Sequence, residues 1–302
     1  MSPPPRQGFW QEACAWQGSV TPLVLPRVLT FGVYALAICW LSDLLEAIFQ
    51  RKLEMELDPF GIAGAALSLL LVLRTNAGYD RWWEARKLWG GIVNQSRNLA
   101  IDALAYGPVL HGWQDRFVRL AAAFPFVTKA SLREEGLAPN VAQLVGQEFA
   151  EKIGRAQHMP SYVSLELARL LEEARRLGQL DSFAFLQMNR ERALLIDHIG
   201  GCERILKTPL ARVYAIKVRR FIALFMLVLP LALMHKLHSD WIIPLVTMIV
   251  AYPLLSLDEI GVELQNPFWE DNLSHLPLVA ISQNIEGNLL GLLAQAEIAK
   301  VE

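Results

Sequence analysis

Four stretches of this chain carry no charged side chain and are dense in large apolar residues: 28–42, 59–73, 221–234 and 241–257, of 15, 15, 14 and 17 residues. A bilayer-spanning helix needs about 20 apolar residues, so length alone leaves open a second reading, buried helices of a large water-soluble core. Three features favour the membrane. The stretches form two pairs, joined by short polar connections at 43–58 and 235–240, as helical hairpins entering and leaving a bilayer would be. Basic flanks are lopsided: Arg27, Arg74, Arg81, Arg86, Lys87, Lys217, Arg219 and Arg220 lie on one side, and only Arg51, Lys52 and Lys236 on the other. Cytoplasmic loops are the Lys/Arg-rich ones, which puts both termini and the middle of the chain in the cytoplasm. Finally, 221–234 holds nine Phe, Ile, Leu or Val residues, each favouring insertion by roughly 0.3–0.6 kcal/mol at mid-bilayer. Pro230 opposes that sum, but proline is tolerated where neighbouring helices satisfy the backbone it frees.

Composition agrees. The chain is 53% hydrophobic and 19% charged, against about 25% charged in a typical soluble domain, and its mean hydropathy is +0.29. A net charge of −2 supplies no basic field for nucleic acid. Cys14, Cys39 and Cys202 are odd in number and far apart, with no CxxC or Cys/His spacing, so free thiols are expected and neither a disulfide framework nor a metal site. The opening MSPPPRQGFWQEACAW lacks the basic-then-apolar pattern of an export signal.

The middle, 74–220, is rich in Ala, Leu, Glu, Arg and Gln with apolar residues recurring at three and four, the pattern of amphipathic helices packing in water. One predicted stripe is Leu165, Ala168, Leu171 and Ala174. Breakers at Gly107-Pro108, 136–139, Pro160 and Gly178 divide it into several helices. No run alternates at period two. The predicted architecture is all-α: a cytosolic segment 1–26, a first transmembrane hairpin 27–73, a cytosolic helical region 74–220, a second hairpin 221–257 and a cytosolic tail 258–302. Four short membrane helices hardly enclose a wide path alone, and assembly around an axis is the natural remedy.

The stretch 59–73 opens on Gly61, Ala63, Gly64, Ala65 and Ala66, residues that allow close helix approach. Ala65, Leu69 and Leu73 recur at spacing four and share a face. Pointed at a symmetry axis, that face is an apolar constriction able to gate by dewetting. Spacing alone favours the plainer use, lipid-facing or interhelical packing. Beyond it, RTNAGYDRWWEARKLWG interleaves aromatic and basic residues. In a membrane setting Trp82, Trp83 and Trp89 suit the bilayer interface, Trp82 can stack with Arg86, and Glu84 can bridge Arg81 and Lys87. Asp258 and Glu259 end the last stretch and are expected partners for Arg74 or Arg81. The six histidines, at 111, 158, 198, 235, 238 and 275, are scattered, and no GxSxG, HExxH or ExxH pattern occurs, so no enzyme is expected.

Three segments give the chain a family likeness: RTNAGYDRWWEARKLWG, then GGCERILKTPLARVYAIKVRRF, then LDEIGVELQNPF. With these in this order around the apolar stretches, residues 20–290 resemble the bestrophins, in particular the bacterial branch. The resemblance implies a homopentameric ion channel of the cytoplasmic (inner) membrane with one axial pore, without enzymatic activity and without nucleic-acid partners. It places the pore neck on Ala65, Leu69 and Leu73, reversing the preference drawn from spacing, and a second, cytosolic constriction on Phe183 within GQLDSFAFLQ. Two departures stand out. Ala65 is smaller than the usual neck residue. The acidic run of the animal calcium clasp is reduced to Glu270 and Asp271, so no calcium or other cofactor is expected. The uncharged neck leans toward chloride, since apolar rings pass a poorly hydrated anion more easily than a strongly hydrated cation. A sodium or potassium channel of the same build is the alternative, and a non-conducting membrane scaffold a more distant one.

Overall fold

The computed structural model describes residues 8–50, 58–109, 112–237, 239 and 241–298. Arg51, Lys52, His111, His238 and Asp240 lie outside them. Every regular element among the described residues is a helix. The chain divides into two compact units: Met1–Arg81, Pro209–Gln265 and Asp271–Ser274 make the first, Trp82–Thr208, Asn266–Glu270 and His275–Glu302 the second.

The first unit holds the short α1 (Phe9–Ala13), α2 (Thr21–Phe49), the first part of α3 (Asp58–Tyr106), α9 (Arg212–Met234) and α10 (Ile242–Glu263). On α2 the buried residues Val24, Val28, Gly32, Ala35, Cys39 and Ser42 follow steps of three and four, one edge of the helix. Gly32 is there because α10 comes close: a Cβ on it would lie 2.7 Å from Met248 Sδ. Tyr214 Oη of α9 donates to the Leu70 carbonyl of α3 at 3.0 Å, and Tyr34 Oη of α2 to the Leu227 carbonyl of α9 at 2.9 Å. The core between these helices is Leu67, Leu71, Ile222, Met226, Leu229 and Ala251 with their neighbours.

Among the described residues three helices, α2, α3 and α10, are long and apolar enough to cross a membrane. α9 falls short of that standard because Lys217, Arg219 and Arg220 precede its 14-residue charge-free run. α3 has 49 residues, or about 74 Å at 1.5 Å per residue, more than twice the ~30 Å of a hydrocarbon core. Its apolar beginning therefore suffices for a span, and the Arg- and Trp-rich remainder is left over.

The second unit comprises the rest of α3 with α4 (Trp113–Arg133), α5 (Pro139–Val145), α6 (Gln147–Arg155), α7 (Met159–Arg176), α8 (Ser182–Lys207) and α11 (Leu278–Ile298). α4 is its centre: the charge-free stretch from Leu120 to Thr128 is buried on every side, and the charged residues of the helix flank it. The breakers fall at the boundaries: Gly107 and Pro108 follow α3, Pro139 opens α5, Pro160 sits in the first turn of α7, and Gly178, at φ 68°, follows it. Asp181 caps α8, its Oδ2 accepting from Phe183 N at 2.8 Å.

Three local expectations change. On α7 the buried edge is Val163, Leu167, Leu170, Leu171 and Ala174, while Leu165 is exposed. A run at steps of three falls about 60° short of a full turn each time and drifts off the face. Trp89 is not at an interface but fully buried, and Trp82 packs against the same core. Glu84 reaches across to Arg204 of α8 at 2.5 Å rather than along its own helix.

α3 and α8 meet through glycines. A Cβ on Gly91 would overlap the imidazole of His198, and one on Gly201 would lie 2.8 Å from the methyls of Leu88. Alanine at an ordinary helical position gains about 1 kcal/mol over glycine, whereas overpacking costs about 1–3 kcal/mol. Gly91→Ala should lower the thermal unfolding midpoint of the purified protein, and the same change on a His198→Ala background should raise it. A gain in both backgrounds would show that the approach is looser than described.

Candidate pore-lining face and its ion-pair support

The first part of α3 has two contrasting edges. Leu67, Leu71, Arg74 and Gly78 are buried, and at 100° per residue they lie within about 60° of one another. On the other side Ile62, Ala65, Leu69, Val72 and Leu73 are exposed, Leu69 at 61% and Leu73 at 52%. Ala65, Leu69 and Leu73 thus share one uncovered edge of the protomer. After Leu73 that edge turns polar, with Asn76 and Asp80 exposed on it. An apolar strip opening onto amide and carboxylate is what a dewetted constriction beside a hydrated vestibule requires.

What fixes this orientation is a cluster of charges one residue past the strip. Arg74 is 1% exposed, and its guanidinium is paired with the carboxylate of Asp258 on α10. Arg219 of α9 donates from Nε to Asp258 Oδ2 at 2.9 Å. The adjacent Glu259 accepts from Arg27 Nη1 of α2 at 2.6 Å. One turn of α10 therefore ties α2, α3 and α9 together. Gly261 gives Arg74 its room: a Cβ there would lie 3.4 Å from Arg74 Cγ. Of the two expected partners for the acidic pair, Arg74 takes Asp258, while Arg81 donates to the Gln265 carbonyl at 3.3 Å. The roles of Arg219 and Arg27 were missed. Their signal was present, because antiparallel hairpins bring the basic starts of the first and third stretches beside the acidic end of the fourth.

Phe183, in the second unit, starts α8 and is 83% exposed. Glu270 Oε2 accepts from Arg133 Nη1 at 2.9 Å, and Arg133 Nε donates to the Phe268 carbonyl at 2.8 Å. Asp271 is exposed. The loop around them is organised by Glu263, whose Oε2 accepts from Leu273 N at 2.6 Å. Among the described residues no three metal-capable side chains converge.

Titratable groups displaced in the second unit have structural causes. Burial pushes the Cys202 thiol up to about 12, aided by Glu203 and Glu84. Burial also lowers the His198 pKa, against the opposing charge of Asp197. Hydrogen bonds from Arg175 and Arg176 hold Glu172 at about 2.

Comparison with known proteins gives the class. A family model described as bacterial/fungal bestrophin protein matches residues 1–291. A voltage-dependent anion channel-forming protein of Synechocystis is 31% identical over 282 residues, 92% of this chain and 89% of that protein. One of the same description from Escherichia coli strain K12 is 31% identical over 294 residues, 97% of this chain and 94% of its own. The crystal structure of a bacterial bestrophin homologue from Klebsiella pneumoniae aligns with a TM-score of 0.80 at 28% identity, covering 89% of this chain and 97% of that one. The protein is an all-helical membrane protein, and it belongs to the bacterial/fungal bestrophin family.

Removing one partner of a buried pair leaves an uncompensated charge and costs about 3–5 kcal/mol, whereas an exposed pair contributes about 1 kcal/mol or less. Asp258→Asn should therefore lower the unfolding midpoint far more than Glu259→Gln, whose partner Arg27 is 52% exposed at its side chain. Circular dichroism melts in detergent check the order. Equal losses would remove Arg74 from its supporting part.

Proposed function

We propose that this protein is a passive ion channel of the cytoplasmic membrane, a homopentamer whose axial pore narrows at rings of Ala65, Leu69 and Leu73 and conducts small monovalent anions, chloride foremost. One observation carries the reading: α3 leaves an apolar strip uncovered in the protomer and places polar residues directly after it. Copies of the strip meeting at an axis form a neck whose wetting controls flow. In this reading all four apolar stretches span the bilayer, α9 included, with both termini in the cytoplasm. Ala65 makes one end of the neck wider than Leu69 and Leu73 do. Phe183, uncovered at the start of α8, forms the second constriction.

Anion conduction is supported by what the relatives are named for and by the neck's chemistry. An uncharged apolar ring penalises a strongly hydrated cation more than chloride. The scheme invokes no enzymatic and no calcium step; Glu270 pairs with Arg133 in it. The cation alternative has one observation in its favour: Asp80 is exposed on the edge that continues the neck, where a ring of carboxylates would concentrate cations.

Liposome flux and bilayer recording test both points. Leu69→Ser together with Leu73→Ser wets the neck and should raise conductance by about tenfold or more, while Leu73→Trp should suppress it. Under asymmetric potassium chloride the reversal potential should sit on the chloride side and stay there in Asp80→Asn. A reversal potential on the potassium side that moves with Asp80→Asn establishes the cation alternative, and conductance indifferent to the neck substitutions removes the neck assignment.

A further inference from the structure

The exposed residues of α9 share one edge whose chemistry changes along its length. At 100° per residue Arg212, Val213, Ile216, Lys217 and Arg220 fall within an arc of about 140°. All five are exposed, and Leu224 and Leu227, exposed as well, prolong the same arc. The opposite edge, Val218, Ile222, Phe225, Met226 and Leu229, is buried. Arg219 borders the arc, about 20° outside it, and is taken by Asp258, to whose Oδ2 its Nε donates at 2.9 Å. Among the described residues Arg212, Lys217 and Arg220 have no ion-pair partner. No acidic residue stands in the first turn of α9, and Ala211 offers no side-chain cap, so the positive end of the helix dipole adds to the three side chains.

Read from Arg212 onward, the edge is cationic with apolar residues interleaved, and then wholly apolar where the charge-free run begins at Phe221. That is the polarity of a phospholipid from head to tail. We propose that this edge of α9 seats an anionic phospholipid of the cytoplasmic leaflet, its acyl chains along Leu224 and Leu227 and its phosphate between Arg220 and Lys217. The spacing is suitable. Arg220 and Lys217 are about 4.5 Å apart along the axis, within the ~5–7 Å headgroup layer of one leaflet. Arg212, about 12 Å from Arg220 along the axis, lies beyond that layer and adds to the positive field that draws an anionic surface. A second copy of the chain is the competing occupant, and it would have to bring acids to three unpaired cations and then an apolar surface in register with the two leucines. The inference rests on the membrane setting and not on conduction, so a chain that passed no current would bind lipid all the same.

The test titrates the purified full chain in detergent with phosphatidylglycerol, phosphatidylcholine or soluble glycerol phosphate and reads the thermal unfolding midpoint. Phosphatidylglycerol should raise the midpoint, and the other two should not. In Arg212→Gln/Lys217→Gln/Arg220→Gln the half-saturating phosphatidylglycerol concentration should rise by about 100-fold, near fivefold per charge. The charge-keeping variant Arg212→Lys/Lys217→Arg/Arg220→Lys should respond as the native chain does. Equal responses of the native chain to both lipids would overturn the proposal, a comparison that needs no variant to fold. So would a full response to glycerol phosphate alone, an undiminished response in the triple Gln variant, or a triple Gln variant that changes oligomeric size with its lipid response intact.

Discussion

A buried guanidinium organises the first unit, which holds the helices long and apolar enough to cross a membrane. Arg74 sits one residue beyond Leu73 and 1% exposed, where an unpaired cation would cost several kcal/mol. Asp258 supplies the countercharge, and that requirement fixes which edge of α3 faces α10. Leu67, Leu71, Arg74 and Gly78 turn inward together, so Ala65, Leu69 and Leu73 turn outward. Arg219 and Arg27 extend the arrangement to α9 and α2. A pair of this kind adds little net stability over a well-packed apolar core. In the proposed channel its contribution would be to hold α3 against rotation, so that the apolar edge keeps its direction.

From that constraint the functional reading follows in order. Among the described residues the outward strip Ala65, Leu69 and Leu73 is left exposed along one edge of α3. In the proposed pentamer an axis of symmetry would cover the leucines with their own copies and open Asn76 and Asp80 to water. The proposed lipid seat on the basic edge of α9 would answer the same environment from outside, headgroups there and ions at α3.

Much of this was readable in the chain. Charge-free runs marked the apolar helices, and Gly107-Pro108, Pro139, Pro160 and Gly178 marked helix ends, because each signal acts locally. The Asp258–Arg74 pairing was anticipated because an acidic residue ending one apolar run must find a cation near the same depth. What failed depended on helices meeting. Glu84 has Arg81 and Lys87 at good spacing, yet it binds Arg204, since the α3–α8 approach through Gly91 and Gly201 brings that partner within reach. Trp89 has the composition of an interface residue but lies on the edge of α3 that the second unit's core covers. The buried edge of α7 was misphased because steps of three approximate a helix only over one or two turns.

Thiol accessibility tests the central claim most directly. In a Cys14→Ser background, which removes the exposed native thiol while Cys39 and Cys202 stay buried, Leu69→Cys and Leu67→Cys are reconstituted and exposed to a charged, membrane-impermeant methanethiosulfonate during recording. The account predicts rapid modification with altered current at position 69 and none at position 67. A Leu69→Cys that resists the aqueous reagent but reacts with a lipid-soluble maleimide would put the strip against lipid, and the neck would have to be sought elsewhere.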